Sequence, residues 1–190
     1  MKVLYLITLV VLVFLSGCRS NNHPEEVPAD YKKMGDSIAA ASFNHIKSAL
    51  QNAMATNGPE QAVLFCRAQA IKLTGTLSSD SVQVYRVAER YRNPTNKLRE
   101  DDQSIWKNYQ QAMAKGDSVF SMVIEKEAVV DYYKPILLQP MCLTCHGEPQ
   151  KNIPNALLHT IDSVYPGDLA KGFSPGDLRG MWHIQFKKRH

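Results

Sequence analysis

The chain has 190 residues, a formal net charge of +4 and four cysteines. This length is enough for one domain with its own hydrophobic core. The mild positive charge comes with no basic helix and no basic patch interleaved with aromatic residues, so the sequence argues against a nucleic-acid partner.

The N-terminus has the pattern of an export signal. Lys2 precedes an apolar run at residues 3–15, followed by Ser16, Gly17 and Cys18. The run is too short for a typical membrane-spanning helix. The end of the run also resembles a bacterial lipobox, which implies cleavage before Cys18 and acylation of that residue. We predict a lipoprotein signal peptide at residues 1–17, with a short uncleaved anchor as the alternative.

Residues 18–30 follow as a polar stretch that contains almost no apolar side chains. This composition is typical of a flexible tether. Several acyl chains on Cys18 would hold the protein stably on a membrane. We therefore expect residues 31–190 to form a domain at the periplasmic face of a bacterial membrane.

Two helices are predicted next. Residues 32–56 carry apolar side chains at helical spacing, and Gly58-Pro59 ends the pattern. In the following helix Ala62, Cys66, Ala70 and Leu73 fall at helical spacing, so they share one stripe that should face inward.

The rest of the chain predicts a mixture of strands and helices. Together with the N-terminal helices they favour a single α+β domain, in which helices pack on an antiparallel sheet. The predicted elements are strands at residues 81–88, 119–124, 128–138 and 181–187, and helices at residues 102–115 and 155–164.

The sequence Cys142-Leu143-Thr144-Cys145-His146 has the C-x-x-C-H pattern of covalent haem attachment. Cys142 and Cys145 can each bond one vinyl group of a single haem, and His146 can then bind the iron. A structural zinc site would need four ligands, and no second pair of cysteines is present. A thioredoxin-like pair would be expected in a βαβ unit, whereas Pro140 and Gly147 predict loops around this motif. We predict one covalent haem c.

Cys66 has no obvious disulfide partner once Cys18 is acylated and the other two thiols hold haem. Two interpretations remain. A free buried cysteine usually acts as a small hydrophobic side chain. Alternatively, its thiolate is the second axial ligand of the iron. Other side chains that could reach the iron are Met141, Met181, His45, His159 and His183.

Basic and aromatic residues could complete a haem pocket. Arg86 and Arg92, together with Arg90 and Arg179, could pair with the haem propionates, because guanidinium groups match carboxylate geometry. A solvated basic face is the alternative. Tyr132 and Tyr133, on the strand before the motif, are expected to wall the pocket.

From about Asp30 to its end, the chain resembles the PAS-like c-type haem domains long listed as a domain of unknown function. These domains occur as exported proteins and as sensor regions of histidine kinases. The resemblance implies a PAS-like antiparallel sheet and axial ligation by Cys66 and His146. The residues that carry it are Cys66 with Ala70, the R-x-x-x-x-x-R-N-P-x-N run from Arg86 to Asn96, Cys142-Leu-Thr-Cys-His-Gly147, Tyr165-Pro-x-Asp168-x-Ala170 and Gly176-Asp-Leu-Arg-Gly180.

Three functions fit these features. The first is a haem protein that responds to redox state or to a diatomic gas, with a signalling partner. The second is an electron carrier with a redox partner. The third is a peroxidase-type enzyme, which needs an open axial position and is disfavoured if both positions are filled. We expect a non-enzymatic haem protein.

Overall fold

The computed structural model describes residues 29–188. The predicted signal peptide, Cys18 and residues 18–28 of the predicted tether therefore lie outside the described residues. Helix α1 (Ala29–Gly75) begins in the last two residues of that tether. Within residues 29–188 no helix has both the length and the hydropathy that crossing a membrane requires.

Helix α1 changes direction at Gly58, as the sequence predicted. Gly58 has a φ of 77°, in the left-handed region that glycine adopts without the steric cost of a Cβ atom. Pro59 starts the second segment, where its missing N–H costs little. The two predicted helices are therefore present as two segments joined by a kink.

Four strands form one antiparallel sheet in the order β1-β4-β3-β2. Two strand starts differ from prediction by three residues. The second strand begins at Met122, because the ladder with its neighbour ends at the pair Met122–Tyr133. The last strand begins earlier, at Leu178, because Leu178 and Gly180 pair with Leu137 and Ile136 of the third strand. The bounds are β1 (Val82–Val87), β2 (Met122–Glu125), β3 (Val129–Leu137) and β4 (Leu178–Lys187).

Three further helices are α2 (Asp102–Ala114), α3 (Leu143–His146) and α4 (Asn155–Val164). Short 3₁₀ turns lie at Pro94–Asn96 and Pro140–Cys142. The C-x-x-C-H motif, expected near loops, contains the last residue of the second turn and all of α3. The described residues confirm the α+β class and the single domain with an antiparallel sheet.

The central strand β4 sends alternate side chains to opposite faces of the sheet. Trp182, Ile184 and Phe186 pack with Ala39 of α1. Met181 packs on the other face against Ile105, Trp106 and Tyr109 of α2. Each face of the sheet therefore has its own helix and its own core.

A buried charged network lies on the α2 face. His183 hydrogen-bonds through Nδ1 to Asp102 at 2.7 Å and through Nε2 to Asp131 at 3.0 Å. Burial opposes the charged imidazolium, but these two bonds outweigh it and raise the pKa of His183. Lys126 adds an ion pair to Asp131 at 2.7 Å. The network is thus charge-compensated inside the protein.

We predict that Asp131→Asn lowers the free energy of unfolding by about 3 kcal/mol, because it removes the charge from a buried partner of His183 and Lys126. The matched control is Asp101→Asn. Asp101 also pairs with Lys126, at 2.6 Å, but its side chain is 63% exposed, so its loss should cost less than about 1 kcal/mol. Denaturant unfolding of both variants measures the difference, and equal effects would contradict the assignment.

Candidate cofactor cavity

A cavity of about 220 Å³ lies between α1, the sheet and the C-x-x-C-H motif. Six of the residues that the sequence analysis named as candidate contacts of the cofactor or its iron line it. They are Cys66, Arg86, Arg92, Cys142, Cys145 and His146. The remaining lining is mostly apolar, and among the described lining residues there is no carboxylate and no second histidine.

Cys66 lies on the second segment of α1 and lines the cavity. Three residues of the predicted stripe, Ala62, Cys66 and Ala70, line it, whereas Leu73 does not. The adjacent Val63 packs against α4, through Leu157 and Ile161, and this contact places the second segment of α1. Cys66 forms no disulfide with the cysteines in residues 29–188. Burial raises the pKa of its thiol, and the guanidinium groups of Arg86 and Arg92 oppose that rise.

The two cysteines of the motif pack against different clusters. Cys142 contacts the small core of Leu138, Ala170 and Phe173. Cys145 contacts the cluster that joins α1 to α4. The motif is therefore packed on two sides, and both of its cysteines line the cavity.

Gly147 allows the tight turn after the motif. A Cβ atom at this position would lie 2.5 Å from the Cβ of Asn152, which is closer than real atoms approach. Asn152 accepts a hydrogen bond from the backbone N–H of Glu148 at 3.0 Å. The glycine that follows the C-x-x-C-H pattern therefore has a steric role in this chain.

The His146 ring is held in one orientation. Its Nδ1 lies 2.7 Å from the carbonyl oxygen of Ala170, so Nδ1–H donates and Nε2 keeps its lone pair. Burial, with the nearby cations Arg179 and Arg92, lowers the pKa of His146 well below its usual value. A neutral imidazole with a free Nε2 is the form that binds a metal ion.

Arg86 and Arg92, which the sequence analysis named as candidate partners of the haem propionates, have different partners in the structure. The guanidinium of Arg92 is engaged within the protein. It pairs with Asp168 at 3.0 Å and donates to the carbonyls of Ala170 and Cys145. The guanidinium of Arg86 makes no ion pair with any carboxylate in residues 29–188, and burial lowers its pKa. Of these two arginines, Arg86 is thus the one whose charge is available to the cavity.

Two further arginines lie close by. Arg179 lines the cavity and donates to the carbonyl of Arg90 at 3.1 Å. Burial and the neighbouring arginines lower the pKa of Arg179 to about 9. Arg90 does not line the cavity, since its guanidinium bonds to the carbonyls of Leu169 and Lys171 and stacks on Phe173 at 3.9 Å.

The other candidate ligands are distributed around the molecule. Met141 lines the cavity, whereas Met181 and His183 lie on the opposite face of the sheet. His45 and His159 are exposed.

The expectation that Tyr132 and Tyr133 wall the pocket is wrong. The hydroxyl of Tyr132 donates to Asp36, and Tyr133 packs on the α2 side. Adjacent strand residues point to opposite faces, so the two tyrosines could not both wall one pocket.

Sequence reasoning missed the roles of Asp168 and Ala170. The pattern Tyr165-Pro-x-Asp168-x-Ala170 signalled that this loop matters, but not that it contacts His146. Among residues 29–188, no group of three or more His, Cys, Asp or Glu side chains is arranged to hold a metal ion by itself.

Comparison with known proteins places the chain in a family. Residues 23–186 match the model of the Tll0287-like family, so the chain belongs to that family. A solved structure described as the crystal structure of the cyanobacterial heme-protein Tll0287 has a similar fold, with a TM-score of 0.62 and 22% identity. The match covers 86% of this chain and 98% of that one. A search of curated proteins gives no significant match.

Proposed function

We propose that this chain is an exported, lipid-anchored c-type cytochrome with one covalent haem, which responds to redox state or to a diatomic gas. The observation that carries the proposal is the shared cavity of Cys142, Cys145, His146 and Cys66. The haem would be attached through the first two thiols and ligated axially by His146 and Cys66.

The cavity residues fit this cofactor. Two thiols stand at the spacing that two vinyl groups require, and the apolar lining suits a porphyrin. Arg86 and Arg179 make no ion pair with a carboxylate in residues 29–188. Both are partly buried, a partly buried charge is stabilised by an opposite charge, and two haem propionates would supply two. The description of the similar structure as a heme-protein supports the same cofactor.

The bound haem would supply a redox-active iron, and the protein would set its ligands. His146 presents the lone pair of Nε2, because Nδ1–H is held by Ala170. Cys66 would bind as a thiolate, an anion that favours ferric iron over ferrous. This ligand pair predicts a lower reduction potential than a Met/His pair.

The two proposed axial ligands come from different parts of the chain, and this supports a responsive haem. Attachment needs only the C-x-x-C-H motif, whereas Cys66 lies on α1. The Cys66 bond could therefore break without loss of the haem and leave a position for a diatomic ligand. A peroxidase-type enzyme would need distal acid–base groups, and the described lining offers no carboxylate.

Electron transfer is the second candidate. Leu137 and Met141 line the cavity and are 41% and 36% exposed. Exposed apolar side chains beside a haem would suit transient contact with a redox protein. In this case both axial bonds would be permanent.

Covalent attachment is tested first. We predict that Cys142→Ala or Cys145→Ala strongly reduces the covalently bound haem, because each removes one thioether bond. The measurement is haem-dependent peroxidase staining of denatured protein from cells with haem c maturation. Cys66→Ala is the control and should keep its stain. A colourless wild-type band would overturn the proposal.

The second prediction concerns the axial thiolate. The ferric wild type should be six-coordinate and low-spin, with a thiolate-type optical spectrum. Cys66→Ala should open the sixth position, bind carbon monoxide or nitric oxide in the ferrous state, and raise the reduction potential. Cys66→Ser should not restore the spectrum, because a neutral hydroxyl is a poor replacement for thiolate. The control is Met141→Ala; if Met141→Ala changes the spectrum and Cys66→Ala does not, Met141 is the ligand.

The third prediction concerns the anchor. Native protein should partition into detergent, and Cys18→Ala should move it to the aqueous phase, because stable anchoring needs the acyl chains. Cys66→Ala should partition like the wild type. Recovery of the native protein as a freely soluble periplasmic species would contradict the anchor.

A further inference from the structure

We propose that Asp168 is a positioning residue for His146, acting through the backbone of Ala170. The inference rests on the proposed function, since it assigns a role around the axial histidine. It concerns residues outside the attachment motif and outside the set of axial ligands.

The first contact is between Asp168 and Ala170. Oδ1 of Asp168 accepts a hydrogen bond from the Ala170 N–H at 2.8 Å. The carbonyl of the same residue, Ala170, accepts the Nδ1–H of His146 at 2.7 Å. One peptide segment thus joins the carboxylate to the imidazole, and a shift of Ala170 would change the orientation of the ring.

The second contact is between Asp168 and Arg92. Oδ2 of Asp168 pairs with Arg92 at 3.0 Å, and the carboxylate is fully buried. Arg92 also donates to the carbonyl of Ala170 at 3.3 Å and to the carbonyl of Cys145. Arg92 of this ion pair is therefore bonded both to Ala170, whose carbonyl accepts the His146 proton, and to Cys145, the residue before His146. We call Arg92, Asp168 and Ala170 the histidine clasp.

The clasp has two consequences for an iron bound to His146. First, it restricts rotation of the imidazole, which should give one axial geometry. Second, the carboxylate offsets the charge of Arg92, in a region that also contains Arg86, Arg90 and Arg179. Removing the negative charge leaves more positive charge near the iron, which disfavours the ferric state.

The test uses full-length protein matured with haem. Asp168→Asn should broaden or split the ferric electron paramagnetic resonance signal and shift the reduction potential upward. A protein in which Asp168 serves stability alone would show a lower urea midpoint with both spectroscopic properties unchanged. The matched control is Asp162→Asn, because Asp162 also carries a carboxylate close to Lys171 but is 53% exposed and outside the clasp.

A measurement on the wild type keeps the inference testable if Asp168→Asn does not fold. In the ferrous protein, with a carbon monoxide or native sixth ligand, the Nδ1 proton of His146 should be visible by nuclear magnetic resonance. It should exchange slowly with solvent, because the buried residue Ala170 accepts it in a partly buried hydrogen bond. Arg92→Lys, which keeps the charge but loses the two-pronged contact, should speed this exchange by about tenfold or more.

The outcomes separate the two proposals. Wild-type protein without covalent haem would end the proposed function. Wild-type protein with normal haem, but with a rapidly exchanging Nδ1 proton, would overturn the histidine clasp alone. The histidine clasp would also be overturned if Asp168→Asn kept the wild-type paramagnetic resonance signal and reduction potential.

Discussion

The alternation of side chains along β4 is the constraint on which the rest of the structure depends. β4 hydrogen-bonds to both β1 and β3, so its register is set from two sides. A shift by one residue would reverse every side chain. It would place the His183 imidazole in the cavity and Trp182 among buried carboxylates. The register also places Arg86 opposite Trp182, on the cavity face.

The two faces of the sheet treat buried charge differently. On the α2 face, the charges of His183 and Lys126 meet Asp102 and Asp131 within the protein. On the cavity face, Arg86 and Arg179 have lowered pKa values and no carboxylate in an ion pair with them among the described residues. Both side chains are only partly buried, but even partial burial of an unpaired charge has a cost, which an anionic ligand in the cavity would reduce. The two propionates of a haem would correct this imbalance.

Local patterns predicted most elements of the fold. The break at Gly58-Pro59, the helix Asn155–Val164 and the antiparallel class all follow from short-range periodicity and from turn residues. The strand starts at Met122 and Leu178 were not predicted, because they depend on which residues pair across the sheet.

The candidate site was predictable to a similar degree. The cavity-lining residues Cys66 and Arg86 came from a helical stripe and from a family resemblance. The engagement of Arg92 by Asp168 joins residues 76 positions apart, and spacing alone does not reveal such a contact. The network around His183 was missed for the same reason, since its carboxylates come from α2 and β3.

The two proposed axial ligands are supported by the structure in unequal ways. His146 is held by a partly buried hydrogen bond to Ala170, and the loop that carries Ala170 is joined by the Arg92–Asp168 ion pair to the segment that follows β1. Cys66 has no comparable polar contact among the described residues. Its position depends on the packing of α1 against α4 through Val63. Apolar packing is non-directional, whereas hydrogen bonds fix orientation. A change in the position of α1 would therefore reach Cys66 directly and leave His146 in place, so of the two proposed axial bonds the thiolate bond is the one that such a change would alter.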